Sequence, residues 1–456
     1  MKYLLPDDIV SIYKQVDGAG FEVYFIGGCV RDLVMGIPVK DWDLTTNATP
    51  EQIQKLFPDS YYDNSYGTVG VPIEKDGETV LVAEITTFRT EEGFENFRHP
   101  TNVTWGKTLS EDVKRRDFTV NTLALKISGD EHEIIDTEGG LKDLENKIIR
   151  AVGNPNERFK EDALRMLRAV RFATQFAFTI DEKTRTAIKT NNNLLKHISG
   201  ERIRIELLKI LGSNYPYEGI MLLDNLGLLE LILPELTRGK GISQERPGRH
   251  HKDDVFTHNV LSLKYCPSVN PLVRFATLLH DVGKPEVEAV DEKGFVIFYN
   301  HEVAGAKIAK DISDRLHFSK KDREKIYTLI RWHMFTIDEH ITDSAIRRFI
   351  RRVGVENVAD MIDLRIGDRL GGGTQFAESW RLKKFKERLS EQLNPPFSIN
   401  DLAIDGNDIM RELNIGPGRE VGDILQTLFE EVDENLDLNN REYLIQRVSE
   451  IKKNKV

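Results

Sequence analysis

The spacing of apolar positions changes character near residue 151. Upstream, segments such as EVYFI (22–26) and TVLVAEITTF (79–88) are rich in β-branched residues and show period-two patterning, which predicts strands in an α/β segment. Downstream the repeat is helical throughout. In EDALRMLRAVRF (161–172), read as one helix, Leu164, Leu167 and Val170 form an apolar stripe, and Arg165, Arg168 and Arg171 run beside it. Breaks at 152–157, 237–254 and 370–398, rich in Gly, Pro and polar residues, divide the remainder. The predicted order is an α/β head over 1–150, an all-α neck over 151–236, a histidine-rich helical domain over 237–375 and a charged helical tail over 376–456.

Composition narrows the function classes. With 456 residues, 40% of them hydrophobic and 30% charged, the chain has the make-up of a multidomain globular protein. No apolar run approaches the roughly 18 residues of a membrane span, and MKYLLPDDIV lacks a signal-peptide core, so a cytoplasmic protein without membrane contact is expected. A net charge of −11 argues against indiscriminate nucleic-acid binding but leaves room for local basic surfaces. Two such stretches are 146–171 and RLKKFKER (381–388). Cys29 and Cys266 lie far apart in unrelated contexts and read as reduced, buried thiols.

The stretch FIGGCVRDLVMGIPVKDWDL (25–44) carries the first candidate chemistry. A buried strand over 23–26 should lead into Gly27-Gly28, where the backbone turns sharply and a phosphate can come close. A short helix should follow, ending near Gly36. If DWDL is extended, Asp41 and Asp43 share one face while Trp42 and Leu44 share the other. Two carboxylates roughly 7 Å apart along a strand suit one or two Mg²⁺ ions, which activate a hydroxyl nucleophile and neutralise a triphosphate. Alone, D-x-D is a common surface pattern. The ordered set of strand, glycine pair, Arg31, helix and D-x-D is far more specific.

That order resembles the nucleotidyltransferase superfamily that includes DNA polymerase β. GGCVRDLVMG followed by DWDLTTNATPEQ is similar to the first motif of class II tRNA nucleotidyltransferases and bacterial poly(A) polymerases, and EDVKRRDFTVNTLAL (111–125) to the second. The resemblance implies a polymerase β-like head in which Asp41 and Asp43 hold Mg²⁺ while Gly28, Arg31 and Arg116 hold phosphate or sugar. Asp117 and Asn121 are candidate ribose contacts. Glu84, an acid on an otherwise apolar strand, is either a third metal-site carboxylate or an edge-facing charge. The charged segment 86–100 reads as a mobile loop, and in the resembled family such a loop accompanies addition of the terminal A.

The same resemblance makes Glu161-Asp162-x-x-Arg165 the nucleotide-selecting motif. An ionised Asp162 only accepts hydrogen bonds, which suits the exocyclic amine of C or A; Arg165 only donates, which suits the neighbouring ring nitrogen. Guanine and uracil present the reverse pattern and would leave both groups mispaired. Arg168 and Arg171 are expected further along, toward the triphosphate or the base. ERIRIELLKIL (201–211) resembles the next motif, a support for this helix.

Most of the histidines lie between 250 and 340. The series His258, His280-Asp281, His301, His333 and Asp368 resembles the HD superfamily of metal-dependent phosphohydrolases. His258, His280, Asp281 and Asp368 form the expected mononuclear set, with His301 and His333 as candidates for a second site. Ligand chemistry leaves the divalent metal open among Mg, Mn, Ni and Fe. His250, His251 and His340 read as surface or structural residues, and Gly416-Pro417-Gly418 as a helix start.

The resemblance spans the whole chain and implies a tRNA nucleotidyltransferase that adds C and A from CTP and ATP to tRNA 3′ ends, releasing pyrophosphate. An A-adding or CC-adding specialist, a poly(A) polymerase, and an inactive RNA-binding protein are the alternatives; a guanosine tetraphosphate synthetase-hydrolase has its hydrolase half first and lacks the EDALR helix. Oligomeric state is not legible.

Overall fold

Seven of the first nine strands form one mixed sheet in a computed structural model of the chain. The structure describes residues 2–63, 67–75, 78–95, 99–129, 131–244, 253–335, 341–374, 380–392 and 398–453. The strands are β1 (Val23–Ile26), β2 (Trp42–Thr46), β3 (Tyr61–Asp63), β4 (Thr68–Lys75), β5 (Glu78–Thr87), β6 (Arg89–Glu95), β7 (His99–Trp105), β8 (Ala124–Ser128) and β9 (Glu131–Ile135). Their order in the sheet is β3-β4-β5-β2-β1-β8-β9, with β2 and β5 parallel and the other neighbours antiparallel.

Alternation assigns the faces. Tyr13 of helix α1 (Asp7–Gly18) stacks on Phe25, and Trp42 meets Phe25 edge-on, so Phe25, Trp42 and Leu44 are buried on one face. On the other face Ile26, Phe88 and Ala124 pack with Leu109 and Val113 of α4 (Leu109–Lys114). Between these helices lie α2 (Gly28–Met35), which Gly36 ends in a left-handed conformation, and α3 (Pro50–Leu56), opened by a Thr49–Gln52 capping box.

The 86–100 segment departs from expectation. Its described residues are strands: β6 and β7 pair as a separate antiparallel ribbon, with Arg89 opposite Trp105 and Thr90 opposite Thr104. The paired strands satisfy each other's backbone groups, and charge density concealed that pairing. Residues 96–98 lie outside the described residues.

The helical part of this unit continues through α5 (Gly140–Glu145), α6 (Pro155–Glu161), α7 (Leu164–Phe176), α8 (Glu182–Asn191) and α9 (Gly200–Leu211). The expected single helix over 161–172 is two. Glu161 ends α6, and Asp162 is extended at φ −141°, ψ 106°. Its carboxylate accepts from the Leu164 backbone N–H at 3.0 Å, so it caps α7. Leu164, Leu167 and Val170 are buried as expected, joined by Met166, Ala169 and Ala173.

The chain divides into two compact units, residues 1–237 with 315–318, and residues 238–314 with 319–456. Among its described residues the second has helices and a two-stranded ribbon at 289–297. Its last part packs around Ile409, Ile424, Leu428, Val432, Leu444 and Val448, and a helix begins at Arg419 directly after Gly416-Pro417-Gly418. Both cysteines are buried thiols. Among the described residues no helix is long and apolar enough to cross a membrane.

Candidate active site and metal centre

With Trp42 and Leu44 turned into the core, Asp43 is directed to the opposite face of β2. The parallel pairing of β2 with β5 sets Asp43 directly opposite Glu84. Burial, then the charges of Glu84 and Asp41, push the Asp43 carboxyl up to about 6, against the pull of Arg116 and Arg31. Glu84 therefore adjoins the D-x-D pair and belongs to the same negative cluster.

The glycine pair admits two guanidinium groups. Gly27 has φ +80°, and a Cβ there would stand 2.9 Å from Arg116 Nη1; at Gly28 it would lie 3.6 Å from Arg31 Nη2. Arg116 donates through Nη2 to Asp112 at 3.0 Å, and its buried Nε–H has no acceptor among the described residues. Arg115 also donates to Asp112, through Nε at 2.8 Å and Nη2 at 2.6 Å. Asp112 is fully buried, and its carboxyl is held below the usual range because the two arginines overcome its desolvation. An anchored, partly unsatisfied guanidinium over bare backbone has the chemistry to receive an anion.

Arg31 joins the head to the neck. Its Nη1 donates to Asn121 at 2.6 Å, Asn121 donates to Asp117 at 3.0 Å, and Asp117 accepts from Arg168 Nε at 2.7 Å. Asp117 also accepts from the Phe118 N–H and from Arg168 Nη2, so its four acceptor positions are all taken within the protein. The expected ribose contacts Asp117 and Asn121 are thus engaged with arginines. The guanidinium groups of Arg31, Arg168 and Arg171 all lie over the Phe172 ring, 5.4, 5.4 and 4.3 Å from its centroid. Arg171, expected to border the apolar stripe, is buried and donates to Glu206 of α9 at 3.0 Å.

Asp162 and Arg165 sit within the same unit. Arg165 donates to Glu161 at 2.6 Å and to the Arg115 carbonyl at 2.9 Å. One peptide bond therefore separates the carbonyl that Arg165 holds from the residue lying over Gly27. Asp162 accepts from Arg202 of α9, with Nη1 to Oδ1 at 3.3 Å and Nη2 to Oδ2 at 2.7 Å.

The second unit builds a separate centre. Helices Val255–Tyr265 and Val358–Gly371 pack closely because Gly367 and Gly371 leave room for the Ser262 backbone, which brings Asp368 to His258. Gly283 likewise lies against the backbone of His301 and Gly305, setting the His280-Asp281 turn beside helix His301–Arg315. His258 Nε2 lies 3.2 Å from His280 Nε2 and 3.3 Å from both Asp281 Oδ2 and Asp368 Oδ1. His301 and His333 face the other oxygen, Asp281 Oδ1, at 3.2 and 3.7 Å. His258, His280 and Asp368 converge as one potential ligand group, and His280, Asp281 and His333 as another.

Tautomers in this centre are set by the backbone. The Nδ1 atoms of His280, His301 and His333 lie 2.8, 2.8 and 2.7 Å from the carbonyls of Thr277, Phe298 and Ile330, so each donates there and turns an Nε2 lone pair inward. Burial opposes ionisation of Asp281, yet His280, Lys284 and His258 hold its carboxyl well below the usual range. These donors fit a divalent cation. His250, His251 and His340 lie outside the described residues.

Comparison with known proteins places these two centres in a family. The head matches the model "Poly A polymerase head domain" over residues 23–150, the neck matches "Probable RNA and SrmB- binding site of polymerase A" over 177–239, and 260–369 matches "HD domain". The CCA-adding enzyme of Ligilactobacillus salivarius is 32% identical over 461 residues, covering 99% of this chain and 99% of the relative. The chain belongs to the CCA-adding enzymes. The Limosilactobacillus reuteri member is also 32% identical, over 97% of this chain and 96% of its own. That of Lactobacillus helveticus is 50% identical over 210 residues, 45% of this chain and 51% of that enzyme. The crystal structure of the Bacillus stearothermophilus CCA-adding enzyme in complex with CTP superposes with a TM-score of 0.74 at 26% identity, covering 99% of each chain. The activity is nucleotidyl transfer, and both the nucleotidyltransferase head and the HD domain are of metal-using families.

In this CCA-adding enzyme the structure adds residues that sequence reading passed over. Asp112 left a trace, since EDVKRR places it three and four residues before Arg115 and Arg116. Phe172 follows Arg168 by four residues on the same helix, a spacing present in the sequence, whereas Glu206 left no trace, because its carboxylate meets Arg171 only through the packing of α7 on α9.

Proposed function

We infer that the first unit transfers CMP and AMP units from CTP and ATP to the 3′ end of tRNA, releasing pyrophosphate. The hydrogen bond from Arg165 to the Arg115 carbonyl carries the reading, because it ties the base-selecting pair to the residue directly before the phosphate-binding Arg116. In this division of labour, residues 1–150 hold the triphosphate and residues 151–236 choose the base. Gly28, Arg31 and Arg116 bind phosphate or sugar, Arg168 and Arg171 line the approach from α7, and Asp162 and Arg165 pair with the C or A edge. Asp41, Asp43 and Glu84 are the carboxylates that would hold Mg²⁺; burial first, and then the neighbouring charges of Glu84 and Asp41, raise the Asp43 carboxyl. When bound there, a divalent cation supplies charge neutralisation of the triphosphate and activation of the attacking hydroxyl. The tRNA is held chiefly through phosphates, so its binding weakens steeply with salt. CTP, ATP and tRNA meet in the cytoplasm.

The test uses tRNA transcripts ending at the discriminator base, at C and at CC, each incubated with labelled CTP or ATP, alone and together. Completion of CCA is expected, and Asp43→Ala should abolish it. Failure to label any transcript would overturn the reading. Long A tails on unrelated RNA would replace it with a poly(A) polymerase.

We also propose that the HD domain holds two divalent cations rather than one. Asp281 supports this, with one oxygen facing His258 and His280 and the other facing His301 and His333. His258, His280 and Asp368 complete one half and His301 and His333 the other. Such a bound pair supplies an activated water for phosphoester hydrolysis.

A further inference from the structure

We propose that Phe176, together with Phe172, is a positioning residue for Arg31: two rings on α7 set the plane of this guanidinium and leave its remaining N–H groups to the phosphates of the nucleotide. The inference rests on the assignment of Arg31 to the nucleotide's phosphate or sugar, commits it to phosphate, and extends it to the side chains that hold it.

Arg168, Phe172 and Phe176 follow one another at four-residue intervals on α7, so they lie along one face of the helix. The two rings are 6° from parallel, with centroids 6.0 Å apart. The Arg31 guanidinium lies over both, 5.4 Å from the Phe172 centroid and 4.6 Å from that of Phe176. Phe172 is buried, meets Phe118 edge-on, and also carries Arg168 and Arg171. Phe176 is half-buried, and among the described residues Arg31 is the one cation over it.

The edge of Arg31 shows what the rings add. Its Nε–H and one Nη2 hydrogen go to Asp32, at 2.9 and 2.7 Å, and one Nη1 hydrogen goes to Asn121 at 2.6 Å. Of the N–H donors of a guanidinium, this leaves one on Nη1 and one on Nη2 without an acceptor among the described residues. Nη2 is the nitrogen beside Gly28, where an added Cβ would stand 3.6 Å away. An open donor therefore lies next to bare backbone.

Arg168 and Arg171 are held differently, each by a carboxylate from another element, Asp117 and Glu206. A further carboxylate on Arg31 would consume its last N–H groups and compete with the phosphates. An aromatic ring attracts the cation through its π face and takes none of them, because the N–H bonds lie in the guanidinium plane. Two nearly parallel rings also restrict tilting more than one ring would. They help to keep water from the group, since Arg31 is 7% exposed.

The experiment compares wild type, Phe176→Leu, Phe176→Tyr and Arg31→Met in single-nucleotide addition. CTP is used with a tRNA transcript ending at the discriminator base, ATP with one ending at CC, and inorganic pyrophosphate serves as a competing probe. Phe176→Leu keeps apolar volume without the π face. It should raise the KM for both nucleotides about ten-fold, the loss of a largely desolvated cation–π contact, and weaken pyrophosphate inhibition by a similar factor while kcat stays within about three-fold. Phe176→Tyr keeps the ring and should hold the KM within about three-fold of wild type. A merely structural role would lower kcat or the urea midpoint of the first unit with the leucine and tyrosine variants alike and leave KM and pyrophosphate inhibition unmoved, which would overturn the proposal. If Arg31→Met raises the KM and weakens pyrophosphate inhibition while Phe176→Leu keeps the wild-type values, Phe176 does not position Arg31. If Arg31→Met itself leaves pyrophosphate inhibition unchanged, the phosphate assignment of Arg31 fails, and the proposal with it.

Discussion

Replacing Asp117 by Asn probes the joint between head and neck. The side chain keeps its shape but loses the charge that holds Arg168. In the folded protein burial would raise the Asp117 carboxyl, yet Arg168 and Asn121 bring it down from the usual 3.8 to about 2. That gap corresponds to about 2.5 kcal/mol of stability at neutral pH. The unfolded chain takes up the proton more readily than the folded one. The contribution is therefore complete well above the unfolded pKa, and it is lost as pH falls toward the folded value. About half is gone by pH 3. Asp117 is 8% exposed, so solvent screening removes little of it. Urea unfolding of wild type and Asp117→Asn at pH 7 should thus differ by about 2–3 kcal/mol for the transition of the first unit, and the difference should shrink by about half at pH 3. Because Arg168 shares the Phe172 ring with Arg31, the KM for CTP should also rise. A difference below about 0.5 kcal/mol at pH 7, or one that is unchanged at pH 3, would refute the account of Asp117 as an ionised anchor.

Other substitutions test separate parts. Gly27→Ala places a methyl 2.9 Å from Arg116 Nη1 at φ +80°; it should cost about 1–2 kcal/mol of stability and raise the KM for CTP and ATP, and an unchanged KM in nucleotide titrations would show that Arg116 does not need bare backbone beneath it. Asp112→Ala leaves Arg115 and Arg116 without their shared carboxylate, so a loss of about 3–5 kcal/mol is expected in thermal or urea unfolding; a loss under 1 kcal/mol would sink the claim that this buried group organises the pair. Asp281→Ala should release bound metal, read by elemental analysis of the purified protein, while CCA addition persists; full metal content in the variant would contradict the bridging role.

Local chemistry was legible in the sequence. Strand β1, the glycine turn, the helix ended by Gly36 and the D-x-D strand follow from alternation and from glycine's tolerance of φ > 0, both properties of a few neighbouring residues. The histidine and aspartate series was equally plain, because those residue types carry metal chemistry wherever they are brought together. The break at Asp162 was less visible: periodicity ran through it, and it is the extended backbone of Asp162, whose carboxylate accepts from the Leu164 N–H, that separates α6 from α7. The ribbon at β6–β7 was hidden for a similar reason, since each strand is satisfied by the other rather than by its own pattern.

What tertiary structure alone decided is which charges meet. Asp43 faces Glu84 because β2 runs parallel to β5, a pairing between residues 41 apart in the chain that no local spacing encodes. Arg171 reaches Glu206, and Asp162 reaches Arg202, because α7 and α9 pack against one another. The sequence by itself determined which chemistry is present: acceptor-only and donor-only groups, imidazoles, guanidinium groups and bare backbone. Packing determined which of them are anchors and which remain open to substrate, because a buried polar group must find a partner and only the fold says which one is in reach.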